Sequence, residues 1–233
     1  PKAFFKPDGT KFYVSDNGSD AVYEYVMSSA WDLSSASYNS VSFSVNSQDA
    51  TPQGLTFKSD GTKMYVVGFA NTSIVQYSLS TAWDLSSASY DSISFDFSSQ
   101  ETQGRILAFN SDGTKMFFLG TSNDTVYQYS LSTAWDVSSA SYDSVSFSVA
   151  SQESAPLSLV FKSDGTKMYI LGSGTDTIYQ YSTGSSGPAT VSYPSSVDWA
   201  GGTAPDAPAA GETDVLVFYT DDGGTNWYGF QAG

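Results

Sequence analysis

Three carboxylates recur at one point of the sequence. Asp49, Glu101 and Glu153 each follow a Ser-Gln pair, in "SQDATPQG", "SQETQGRI" and "SQESAPLS". Acids repeated around an axis offer oxygen ligands to a hard cation, and Ca2+ is the ion such a set would take. No other cofactor is implied. Asp16, Asp20, Asp124 and Asp176 lie in turns expected on the same face, and Asp124 and Asp176 join the three acids as candidate binding residues. The plainer account is that these are solvated turn residues in a protein with few bases. A glycosidase would need two acids in unlike environments, one with a raised pKa. Duplication alone yields matching acids, so they carry no sign of divided labour.

Other chemistry is narrowed by what the chain lacks. It has no His and no Cys. That removes Ser-His-Asp triads, His-ligated zinc, thiolate metal sites and Cys nucleophiles. "TDDGGTNW", Thr220 to Trp227, has Asp-box spacing. A sialidase would also need an arginine cluster to clamp a substrate carboxylate, and Arg105 is the one arginine. The formal charge of -15 argues against nucleic acid, since no basic patch exists to neutralise phosphates. It also disfavours anionic membrane surfaces. No apolar run approaches membrane-spanning length, so no membrane insertion is expected. The chain opens on Pro1 without a signal peptide, which leaves the true N-terminus open.

The elements that must position these residues come from a repeat. Asp8, Asp60, Asp112 and Asp164 are separated by 52 residues each time, and Trp31, Trp83 and Trp135 keep the same interval. Each unit reads as four strands. In the second, "GLTFKS" is strand A, "DGTK" a tight turn whose Gly takes a positive φ, "MYVVG" strand B and "IVQYSLS" strand C. "TAWDLSSASYDS" is a longer loop and "ISFDFSSQ" is strand D. Four short strands per unit, with Gly/Asp turns and aromatics, predict an all-β propeller. It would be built from four four-stranded blades: repeats 1–52, 53–104, 105–156 and 157–196. In the last, "ATVSYPS" serves as strand D. The alternative is part of a larger propeller, completed by missing blades or by a partner's.

"SDGTKMYVVG", followed by Asn, Ser/Thr and "V-x-Q-Y" positions, resembles the YVTN-type propeller repeat over residues 1–181. That resemblance implies the fold and leaves the function open, because such propellers host many activities. Residues 197–233 form a linker and a β-hairpin appendage, with strands near 214–220 and 225–231 around "DDGG". The C-terminal stretch from "VSYPSS" through "TDDGGTNWYGF" resembles the closing segment of marine bacteriophage tail-fibre and structural proteins. A virion or extracellular location is what this resemblance implies.

The recurring Trp31, Trp83 and Trp135 are read as staples holding their loops against the adjacent blade. "NGS", "NTS" and "NDT" at Asn17, Asn71 and Asn123 are read as turn residues. Trp199, Trp227 and Tyr228 escape the repeat, so they are candidates for a specific interface. The leading expectation is a non-enzymatic phage virion or tail surface protein, a receptor-binding adhesion module. Its partners would be a host cell-surface glycan or protein, further copies of itself, or other virion proteins. A structural fibre, filament or capsid decoration is the alternative. A lactonase or glycosidase is the weakest reading.

Overall fold

A computed structural model describes residues 2–183 in full and the backbone of three further strands, 197–199, 215–219 and 227–232. The chain divides into two units, Pro1–Tyr181 and Ser182–Gly233.

The first unit is a β-propeller of four blades. Blade 1 holds β1 (Lys2–Phe5), β2 (Lys11–Asp16), β3 (Ala21–Met27) and β4 (Ala36–Ser44). Blade 2 holds β5 (Pro52–Phe57), β6 (Lys63–Gly68), β7 (Ser73–Leu79) and β8 (Ala88–Asp96). Blade 3 repeats the plan with β9 (Gly104–Phe109), β10 (Lys115–Gly120), β11 (Thr125–Leu131) and β12 (Ala140–Ser148). Blade 4 shows β13 (Pro156–Phe161), β14 (Lys167–Gly172) and β15 (Ile178–Ser182). Strands within a blade pair antiparallel in sequence order. The expected strand D of blade 4, residues 189–195, lies outside the described residues.

The A–B turn behaves as its sequence requires. Gly9, Gly61, Gly113 and Gly165 take φ of 72° to 75°, a region that favours glycine. The preceding Asp closes the turn: Thr62 N donates to Asp60 Oδ1 at 3.0 Å, and Thr114 N to Asp112 Oδ1 at 2.9 Å. Each Trp lies over its own blade's turn glycine, as Trp31 does over Gly9, so a Cβ there would overlap the indole.

Strand D begins earlier than the sequence pattern suggests. "DLSS" forms an Asp-capped 3-10 turn, Leu85–Ser87 in blade 2, with Ser86 N donating to Asp84 Oδ1. "ASYDS" is then already strand. It looks like loop because a β-bulge interrupts its alternation: Tyr77 pairs with Tyr90, but Gln76 pairs with Ile93. Ser92, like Ser40 and Ser144, takes a positive φ at the bulge. The bulged Asp91 accepts from Gln76 Nε2 at 2.8 Å and pairs with Lys63 Nζ at 3.1 Å.

The core is the set of junctions between blades. Tyr13 and Val22 of blade 1 bury against Phe57, Tyr77 and Leu85 of blade 2. Tyr65, Ile74 and Phe97 do the same against Phe118, Tyr129 and Val137 of blade 3. In the second unit, β16 (Val197–Trp199) lies parallel to β18 (Trp227–Ala232), which pairs antiparallel with β17 (Val215–Tyr219). The hairpin expected there is present; its turn lies outside the described residues.

Candidate functional site

The crossover acids sit where the sequence implies, in the segments that lead into blades 2, 3 and 4. Each is buried. Each is also occupied by backbone amides. Asp49 Oδ1 accepts from Thr51 N at 2.7 Å, and its Oδ2 from Asn71 N at 2.8 Å. Glu101 Oε1 accepts from Thr102 N, Gln103 N and Ser122 N, and its Oε2 from Asn123 N at 3.2 Å. Glu153 accepts from Ala155 N, Gly174 N and Thr175 N, and those hydrogen bonds hold its pKa down against the upward push of burial. Gly68, Gly120 and Gly172 make room, since a Cβ at any of them would overlap the acid. These carboxylates tie each crossover to the B–C loop of the blade it enters. Buried charge is tolerated there because several N–H donors converge on it.

The three acids stay one to a blade. Among the described residues, no three acidic side chains gather closely enough to hold a metal ion. Asp124 and Asp176 lie in B–C loops with φ of 45° and 54°. Asp124 Oδ1 is buried without a hydrogen-bond partner among the described residues. Burial pushes its carboxyl up, with smaller contributions from Glu101 and Glu153. Trp199, Trp227 and Tyr228 fall on the second unit's strands, where Trp199 pairs with Gly229 and Asp198 with Tyr228. Their side chains lie outside the described residues. The repeated Trp residues pack as staples: Trp83 stacks on Phe4 of blade 1 at 6.2 Å and lies 5.6 Å from Phe57 of its own blade.

A different group converges at the axis. The innermost strand of every blade contributes one residue: Lys2 from β1, Gln53 from β5, Arg105 from β9 and Leu157 from β13. Lys2 Nζ donates to the Leu157 carbonyl across the centre. Arg105 donates from a terminal guanidinium nitrogen to Gln53 Oε1 at 2.8 Å. Its Nε is buried and has no hydrogen-bond partner among the described residues. Burial lowers the Lys2 pKa, and the Arg105 charge lowers it further. Two half-buried cations therefore face one another in a molecule of net charge -15, and among the described residues neither has an ion-pair partner. Sequence reasoning missed this pair. The available signal was that Arg105 stands where the neighbouring repeats carry Gln53 and Leu157.

Comparison with known proteins bears on the scaffold. No family model and no curated protein matches the chain. Solved structures do match. A 6-phosphogluconolactonase candidate from Bacteroides uniformis superposes with a TM-score of 0.53 at 12% identity, over 77% of this chain and 52% of its own. A second such candidate, from Bacteroides fragilis, gives 0.55 at 13% identity, over 78% and 49%. A protein from Lactobacillus plantarum gives 0.55 at 17% identity, over 78% and 50%. This chain thus spans about half the length of the propellers it matches.

These matches establish the propeller fold. The resemblances to the YVTN-type repeat and to phage tail-fibre segments stand on the quoted residues alone. The expectation of a non-enzymatic protein is corrected here. Chains with this fold include lactonase candidates, so the fold is one that candidate enzymes also use.

Proposed function

We propose that this propeller binds a ligand carrying an anionic group, received at the axis by Lys2 and Arg105. The single supporting observation is the pairing of two cations without a carboxylate, with Arg105 Nε left unsatisfied. A buried donor without a partner costs about 1–3 kcal/mol, and an incoming carboxylate or phosphate relieves both that cost and the mutual repulsion. An acidic sugar or an acidic cell-surface glycan fits this chemistry. The resemblance of the C-terminal segment to phage tail proteins supports placing such binding on a virion surface, against a host glycan or protein.

A second reading rests on the fold. Likeness to 6-phosphogluconolactonase candidates favours a sugar lactone as the ligand, with ring opening as the reaction and the same two cations holding its anionic group. Calorimetric titration with glucuronate, 6-phosphogluconate and glucose tests the binding proposal. The two anions should bind and glucose should not, and Arg105→Ala should weaken anion binding about 10- to 100-fold. Equal binding of glucose, or no loss in the variant, would sink it. Acid release from sugar lactones, assayed in parallel, separates the two readings.

A further inference from the structure

We propose that Gln53 is a positioning residue of the axial anion site, a role that rests on the binding reading above. Gln53 holds one terminal nitrogen of Arg105. It thereby presents the Nε–Nη2 edge of the guanidinium to an oxyanion that offers two oxygens, as a carboxylate does.

The backbone brings these residues together. Gln53, Arg105 and Leu157 hold one position of the repeat. In each of their strands the pairing skips that position. Pro52 pairs with Gly68 and Gly54 with Val67, which leaves Gln53 out of register. Gly104 pairs with Gly120 and Ile106 with Leu119, which leaves out Arg105. Pro156 pairs with Gly172 and Ser158 with Leu171, which leaves out Leu157. A β-bulge re-aims the side chain of its extra residue, and here it does so at the same point of three inner strands. The bulge of blade 3 is pinned from both sides. Thr102 N and Gln103 N, just before it, donate to Glu101 Oε1 at 2.8 and 2.9 Å. Gly104 lies so close to Val67, Phe97 and Phe118 that a Cβ would overlap them. Across the junction, a Cβ on Gly54 would stand 2.7 Å from the Arg105 carbonyl, so β5 and β9 approach backbone to backbone there.

The side chains then decide the chemistry. Arg105 Nη1 donates to Gln53 Oε1 at 2.8 Å. An amide oxygen accepts without bringing charge, so Gln53 fixes the guanidinium and leaves its charge uncancelled. With Nη1 held, the parallel N–H bonds left to a ligand are those of Nε and Nη2. Nε is buried and has no hydrogen-bond partner among the described residues. Two parallel N–H groups match two oxygens of one anion, the bidentate pairing for which the arginine fork is shaped. A carboxylate in place of the amide would hold the same nitrogen but neutralise the site. An apolar side chain, such as Leu157 supplies in blade 4, would leave the guanidinium unheld.

The test uses the full chain, labelled with 15N, and glucuronate as the probe. Arg105 is the one arginine, so its Nε–H gives the single arginine signal of this kind in the NMR spectrum. On titration of the wild type that signal should shift, and its exchange with water should slow. Calorimetry on the same samples gives the affinity. Gln53→Leu should weaken glucuronate binding about 3- to 10-fold, the cost of immobilising a side chain that is no longer held. Gln53→Glu should weaken it about 10- to 100-fold while melting at or above the wild-type temperature, because the new carboxylate pairs with Arg105 and offsets the repulsion from Lys2. Damage to the fold would instead lower affinity and melting temperature together. Should Gln53→Glu melt lower, Gln53→Leu decides, and an affinity equal to wild type overturns the role of Gln53. Wild-type binding with the Arg105 Nε–H signal unmoved also overturns it and leaves the axial anion site standing. So does a stable Gln53→Glu that binds as tightly as wild type. Failure of the wild type to bind glucuronate overturns the axial site itself, and the role of Gln53 with it.

Discussion

Leu33 and Leu85 occupy the same place in nearly the same local sequence, "WDLSSASY" in both repeats, and differ only in what lies outside them. Leu85 is buried in the same core cluster as Tyr13 and Phe57 at the first junction, while Leu33 faces solvent. Truncating a fully buried leucine to alanine costs about 2–5 kcal/mol, because the lost transfer energy and the residual cavity add. For a domain of this size each kcal/mol lowers the melting temperature by about 2–4 °C. Leu85→Ala should therefore melt roughly 4–20 °C below wild type. Leu33→Ala should stay within about 0.5 kcal/mol of wild type, as surface substitutions do. The assay is thermal unfolding followed by near-UV circular dichroism. Equal losses would refute the reasoning, because Leu33 would then be covered within its own chain.

Glu101→Gln should lower stability by about 2–3 kcal/mol, seen as an earlier urea midpoint. One of its four amide donors would then face an NH2 group. Added Ca2+ or EDTA should shift neither protein, and a Ca2+-dependent midpoint in wild type alone would restore a metal role for this acid. Arg105→Ala should weaken binding of glucuronate about 10- to 100-fold, the worth of one charge-assisted hydrogen bond, as read by calorimetry. Lys2 gives a pH test of sign. Its folded pKa is depressed, so between that value and the unfolded one the unfolded chain binds more protons and stability rises with pH. Anion affinity should fall over the same window as the ammonium deprotonates. Lys2→Met should flatten both trends, and affinity that rose with pH would contradict the axial site.

Much of the fold was legible because repetition multiplies weak signals. A lone "SDGTK" is a modest turn motif, but four copies at one interval fix the A–B hairpin, and the glycine φ values follow. Strand D was harder. The bulge at Asp91 and Ser92 breaks period-two alternation, so its first half reads as loop. That hidden half gives Asp91 its hydrogen bonds to Gln76 and Lys63. The crossover acids were found but their surroundings were not. Nothing in "SQETQG" says that Ser122 and Asn123, twenty residues on, will donate to Glu101. Gly120 carried that information, as the space the acid fills, but only the fold makes it readable.

Function in a duplicated protein is sought best where one copy departs from the others for a reason the fold explains. The acids recur because each crossover ties down a loop, and the Trp residues recur because each covers the turn glycine of its own blade, Gly9, Gly61 or Gly113. Asp16 replaces the glycine of three other blades and supplies from within the loop what they take from a crossover acid, accepting from Ser19 N and Oγ. One departure has no such scaffold reason. Arg105 places a guanidinium where the equivalent inner strands carry Gln53 and Leu157, and it meets Lys2 there without a countercharge. A scaffold made of equal parts gains nothing from that change, and an axis that receives an anion needs it.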